Sequence, residues 1–143
     1  MNTVERAIIM AAGVGSRMEP LTFSTPKPLI KVNGVRMIDT VIEALHYNGI
    51  YEIYVVVGHL KEQFDSLIDK YTNITLIENP YYLDWNNISS LYVARDHIND
   101  CFIIDGDQII QNPKIFDKRF DLSGYNVVWT DKETCLLTHY RHK

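Results

Sequence analysis

The chain has 143 residues, 46% of them hydrophobic and 22% charged, with a formal net charge of −4. Such values fit one globular domain over residues 1–143 and exclude a disordered chain, a collagen-like repeat and a coiled coil. The acidic balance argues against a broad nucleic-acid-binding face, and no apolar run approaches the roughly 20 residues of a membrane-spanning helix.

At the N-terminus, Glu5 and Arg6 precede only a short apolar stretch. That is a poor signal peptide, so a cytoplasmic protein is expected. The run from Arg6 to Ala12 ends in Gly13-Val14-Gly15, which reads as a buried strand followed by a tight loop. Between Ser16 and Gly34, Pro20, Pro26 and Pro28 exclude a regular helix and imply a long ordered loop. Ile38, Val41, Ile42 and Leu45 have the spacing of an amphipathic helix, with Gly49 at its C-cap. Tyr51 to Val57 reads as a second strand ending at Gly58. Phe64, Leu67, Ile68 and Tyr71 repeat the helical spacing, and Ile74 to Ile77 is a third strand. Ile88 to Ile98 reads as a helix with Leu91, Ala94 and Ile98 on one face. Cys101 to Ile104 is a fourth strand ending in Asp105-Gly106-Asp107. A short helix over Lys114–Phe120, opened by Pro113, and a last strand over Val127–Thr130 complete the pattern. Cys101 and Cys135 have no closely spaced partner, so neither a zinc ribbon nor a redox pair fits.

Alternating strands and helices predict an α/β, Rossmann-like fold with a mostly parallel sheet and helices on both faces. Ligands of such sheets bind beyond the carboxyl ends of the strands. Two distinctive segments fall there. Gly13 and Gly15 allow a tight turn whose N–H groups suit phosphate oxygens. The sequence is neither a P-loop nor a dinucleotide fingerprint, because Met18 stands where the latter wants a small residue. A plain strand-to-loop turn is the alternative. Arg17 and Lys27 shift the balance, since Lys27 is held between two prolines and a fixed cation can neutralise phosphate charge. Asp105 and Asp107 together call for a cation, and Mg²⁺ accepts one or two carboxylates with phosphate and water; a solvated turn is the other reading. The segment Asn79–Ser90 is polar and aromatic. Its Tyr81, Tyr82 and Trp85 suit either the core or a quaternary amine, and Asn86 and Asn87 suit either a base or a helix cap.

Ala11-Ala-Gly-Val-Gly-Ser-Arg-Met-Glu-Pro-Leu-Thr22, then Thr25-Pro-Lys-Pro-Leu29 and Val32-Asn-Gly34, resemble the split signature of nucleotidyltransferases of the sugar-nucleotide pyrophosphorylase type. Asn79 to Leu91 is similar to the bacterial CTP:phosphocholine cytidylyltransferase branch. The resemblance implies the N-terminal portion of a nucleotide-diphospho-sugar transferase fold. It implies that Ala11, Ala12, Gly13, Gly15 and Ser16 hold the nucleotide, and that Arg17 binds the β- and γ-phosphates. Lys27 would stabilise the α-phosphate, and Asp107 would ligate Mg²⁺ with Asp105 beside it. Asn87 and Ser90 would contact nucleotide or acceptor. The implied reaction transfers CMP from CTP to phosphocholine or a related phospho-amine and releases pyrophosphate. Family members are usually much longer, so the chain reads as C-terminally truncated. A sugar-1-phosphate nucleotidyltransferase, a nucleotide-binding remnant without catalysis and a dinucleotide-dependent oxidoreductase are the other readings. A shortened sheet leaves a strand edge open, from which a homodimer is expected.

Overall fold

The structure, a computed structural model, describes residues 2–125. The expected strand over Val127–Thr130 and Cys135 lie outside the described residues.

Strand β1 (Asn2–Thr3) is followed by β2 (Arg6–Met10), the centre of the main sheet. After a hairpin of β3 (Lys31–Val32) and β4 (Val35–Arg36) come α1 (Met37–Tyr47), β5 (Glu52–Val57), α2 (Asp65–Lys70) and β6 (Ile74–Glu78). Helix α3 (Ile88–Val93), β7 (Cys101–Asp105) and β8 (Arg119–Phe120) complete the order. The main sheet runs β6-β5-β2-β7, every neighbour parallel, with Ile9 opposite both Val55 and Ile104.

Ala7, Ile8 and Ile9 are all fully buried. Successive side chains of a strand point to opposite faces, so an unbroken apolar run means cover on both sides. Ala7 and Ile9 pack in a cluster with Ile38, Val41, Ile42 and Leu45 of α1 and Leu67 of α2. Ile8 packs instead in a smaller cluster with Val56 and with Ala94, just past α3. Each fully buried aliphatic side chain of α1 contributes about 1.5–3 kcal/mol. Gly49 closes α1: its N–H donates to His46 O at 2.9 Å and the Ile50 N–H to Leu45 O at 3.0 Å. That pair of bonds is a Schellman motif, and the Gly49 φ of 75° suits a residue without Cβ.

The second face is thinly covered. Ile103, which pairs with Ile8, stays 44% exposed on β7. The outer edges of β6 and β7 meet no further strand among the described residues. No described helix is long and apolar enough to cross a membrane.

Three expected elements differ. Lys114–Phe120 is not a helix: a 3-10 turn covers Pro113–Ile115, and Arg119–Phe120 pairs antiparallel with β1. Phe116 turns into the core at φ −92° and ψ 67°, and the Asp117 carboxylate accepts from the Arg119 N–H at 3.0 Å, so the helical ladder cannot continue. The helix expected over Ile88–Ile98 ends at Val93, with a separate 3-10 turn at Arg95–His97 whose His97 ring stacks on Tyr54. Helix α2, Asp65–Lys70, is shorter than the spacing from Phe64 to Tyr71 suggested: Phe64 ends a 3-10 turn over Lys61–Phe64, and Tyr71 is already extended. The proline-rich loop is built of 3-10 turns and the β3–β4 hairpin, where Asn33 and Gly34 both take positive φ as a two-residue type I′ turn requires.

Candidate active site at the carboxyl edge of the sheet

Past β2, the Ala11 N–H still donates to Val56 O at 2.9 Å, and Ala11 and Ala12 are buried. The backbone then leaves the sheet. Among the described residues, the N–H groups of Gly13, Val14, Gly15, Ser16 and Arg17 find no protein acceptor. A run of free donors is an anion-binding surface. Gly15 takes φ +69°, and its carbonyl accepts from the buried Thr22 hydroxyl at 3.0 Å and from the Met18 N–H at 2.9 Å. A Cβ on Gly15 would stand 2.8 Å from Thr22 Cγ2 and 3.1 Å from Lys27 Cβ. Ser16 and Arg17 are exposed in the 3-10 turn that follows, and Arg17 makes no ion pair among the described residues.

Lys27 opens a 3-10 turn between buried Pro26 and Pro28. Its Nζ donates to Asp107 Oδ2, so the cation after β2 and the carboxylate after β7 form one ion pair across 80 residues of chain. The Gly106 N–H donates to Met10 O at 2.9 Å, and a Cβ there would stand 3.2 Å from that oxygen. The chain therefore lies tight on the end of β2 between the two aspartates. Burial, then the Asp107 charge, pushes the Asp105 carboxyl above its ordinary range, with Lys27 opposing. No cluster of three or more His, Cys, Asp or Glu exists among the described residues. Two oxygen-donor carboxylates, one of them strained toward protonation, fit Mg²⁺, which takes its remaining ligands from phosphate and water.

Asn79 is buried at the end of β6. Its amide donates to Ser89 Oγ at 2.9 Å and Ser90 Oγ at 3.2 Å, and its oxygen accepts from the Tyr81 N–H. These bonds hold the 79–88 segment along the sheet edge. Ser90 is thus buried in that junction, whereas Asn87 is exposed and makes no capping bond. Asn86 is the residue whose side chain caps, accepting from the Ile88 N–H. Tyr82 packs over Gly58, while Tyr81 and Trp85 stack with centroids 5.3 Å apart and stay exposed.

The Nucleotidyl transferase family matches residues 6–121. The chain belongs to this family. It is 53% identical over 121 residues to a 2-aminoethylphosphonate cytidylyltransferase of Lancefieldella rimae, covering 83% of this chain and 49% of that protein. It is 44% identical over 105 residues to a choline-phosphate cytidylyltransferase of Streptococcus pneumoniae, covering 73% and 45%. The solved CTP:phosphocholine cytidylyltransferase of Streptococcus pneumoniae superposes with a TM-score of 0.71 at 41% identity, covering 85% of this chain and 51% of that one. The chain spans about half the length of these relatives.

In this nucleotidyl transferase chain, Lys27 touches both the glycine loop and Asp107, so the edge gathers Gly13, Gly15, Ser16, Arg17, Lys27, Asp105 and Asp107. Asn87 and Ser90 sit on the separate 79–90 segment. Neither a concavity of about 330 Å³ against Leu21 and Ile30 nor one of about 260 Å³ against Val57 and Leu76 lies over these groups. Gly13, Ser16 and Arg17 are exposed, so the site is an open edge. Sequence reasoning missed Thr22, His59 and the buried role of Asn79. Only the Gly58-His59 pair, directly after a strand, hinted at a contact there.

Proposed function

We propose that this chain is the nucleotide-binding portion of a cytidylyltransferase that transfers CMP from CTP to phosphocholine or a related phospho- or phosphono-amine. The observation that carries the reading is Lys27, placed against Gly15 and paired with Asp107. In the reaction, an oxygen of the acceptor's phosphate or phosphonate attacks the α-phosphorus of CTP. The bond to pyrophosphate breaks, and pyrophosphate leaves with the electron pair. Such chemistry asks for position and charge neutralisation more than covalent help. The free N–H groups from Gly13 to Arg17 bind phosphate oxygens, Arg17 takes the outer phosphates, and Lys27 meets charge at the α-phosphate. Asp105 and Asp107 would hold Mg²⁺, which offsets charge on the triphosphate. The names of the matched cytidylyltransferases support CTP and an amine-bearing acceptor. The exposed Tyr81–Trp85 stack is a surface suited to an alkylammonium group.

Binding without turnover is the second reading, favoured by the open edge. Pyrophosphate release is measured with CTP, Mg²⁺ and either phosphocholine or 2-aminoethylphosphonate, beside calorimetric CTP binding. Release that Lys27→Ala abolishes supports transfer. CTP binding without release supports the second reading, and failure to bind any triphosphate defeats both.

A further inference from the structure

The connection from β5 to α2 touches the glycine loop at three carbonyls. The His59 N–H donates to Ala12 O at 3.1 Å. His59 Nε2 lies 2.7 Å from Thr22 O, and Gln63 Nε2 donates to Ser24 O at 2.8 Å. A carbonyl only accepts, so Nε2 of His59 carries the proton in this contact. Ala12 and Thr22 bracket the free N–H groups, and Thr22 itself holds the Gly15 carbonyl. Gly58 brings the connection this close: a Cβ there would stand 2.9 Å from Ala12 O and 2.7 Å from the Tyr82 ring. Leu60, at φ +50°, then starts the turn that brings Gln63 over Ser24.

We propose that His59, assisted by Gln63, is a positioning residue that clamps both ends of the glycine loop and so presets its N–H groups for a triphosphate. The proposal rests on the reading of that loop as the triphosphate site. Without the His59 side chain the main-chain bond to Ala12 O remains but Thr22 O loses its partner, and ordering the loop again on binding lowers affinity. One lost hydrogen bond corresponds to about two- to tenfold.

The test compares wild type, His59→Ala, His59→Gln and Gln63→Ala by calorimetry with CTP and Mg²⁺, by thermal midpoint, and by amide hydrogen exchange. His59→Ala is expected to weaken CTP about tenfold and to speed exchange at the hydrogen-bonded loop amides of Met18 and Phe23. His59→Gln, whose amide can still donate to Thr22 O, restores affinity to within about twofold. Gln63→Ala speeds exchange in the same residues with an unchanged midpoint. A His59→Ala protein that binds CTP like wild type overturns the proposal, as does a folded His59→Gln protein no tighter than the alanine variant. If His59→Ala does not fold, Gln63→Ala decides: faster exchange confined to Met18 and Phe23 supports the clamp and unchanged exchange overturns it. If wild type binds no triphosphate, the functional reading fails, while exchange still reports on the clamp itself.

Discussion

Gly13 and Gly15 stand two residues apart, yet the structure asks different things of them. At Gly15 the backbone is left-handed, which costs an L-residue about 1–2 kcal/mol. An added Cβ also meets Thr22 Cγ2 at 2.8 Å and Lys27 Cβ at 3.1 Å, and overpacking of that kind costs about 1–3 kcal/mol. Gly15→Ala is therefore expected to lose about 2–5 kcal/mol, a fall in melting temperature of roughly 8–20 °C at about 4 °C per kcal/mol. At Gly13 a Cβ meets nothing within 4 Å and φ is not left-handed. Gly13→Ala is then neutral or stabilising by about 0.4–1 kcal/mol, through the unfolded chain. Its methyl nevertheless stands on the loop that a phosphate must approach, so CTP affinity falls by about tenfold, or 1.4 kcal/mol. Differential scanning calorimetry and CTP titration on both variants separate the two effects. A Gly13→Ala protein that binds CTP normally would remove the close approach from the argument. A Gly15→Ala protein that melts with wild type would refute the packing.

Asp105→Asn should melt above wild type at pH 7. Its carboxyl is raised from 3.8 by burial and by Asp107, so ionising it costs the native state stability as pH rises from 3.8 through the raised value. The gap should close below pH 3.8, and a lower melting point at pH 7 would contradict this. Asp39 behaves in the opposite sense. Burial alone would raise it, but hydrogen bonds from Arg36 and Lys70 outweigh burial and hold it below 3.8. Its contribution is complete above 3.8 and is lost as pH falls through the lowered value, so Asp39→Asn costs up to about 3 kcal/mol at neutral pH and less in acid. Urea melts at pH 7 and pH 3 check the sign. A homodimer, expected because the edge of β7 meets no further strand among the described residues, should show in light scattering, and a monomer mass at micromolar concentration would rule it out.

The sheet was legible because its signals are local. Ala7-Ile8-Ile9 announces a strand covered on both faces, and Leu45 with Gly49 announces a helix and its end, without reference to the rest of the chain. Lys114–Phe120 failed for the converse reason. Pro113 is a good helix opener, but Phe116 gains more by packing on Phe102, with centroids 5.4 Å apart, than by continuing a helix. Lys27 and Asp107 were legible as neighbours at the carboxyl edge of the sheet, because strand ends are where such a fold gathers its polar groups, and the structure pairs them. Their supports were not. Thr22 meets Gly15 at a separation of 7 residues and His59 meets Thr22 at 37, and no periodicity marks either pair. Ser90 illustrates the limit: it reads as a polar residue facing a ligand and folds as one buried against Asn79.

The Lys27–Asp107 pair adds a constraint that neither residue carries alone. Both side chains are partly buried, at 23% and 34% exposure, and each offsets the other's charge. Drawing Lys27 to a phosphate leaves Asp107 uncompensated beside Asp105, whose own carboxyl is already pushed up. Delivering a cation to the two aspartates alone leaves Lys27 without its partner. Only an anion and a cation arriving together exchange the pair without stranding a charge. On the proposed reading, Mg²⁺ and CTP should therefore tighten one another, and by linkage the factor must be the same whichever is titrated first. Lys27→Ala removes the competition for Asp107, so the coupling factor should shrink while CTP binding weakens. Equal coupling in wild type and variant would show that the ion pair does not gate the site.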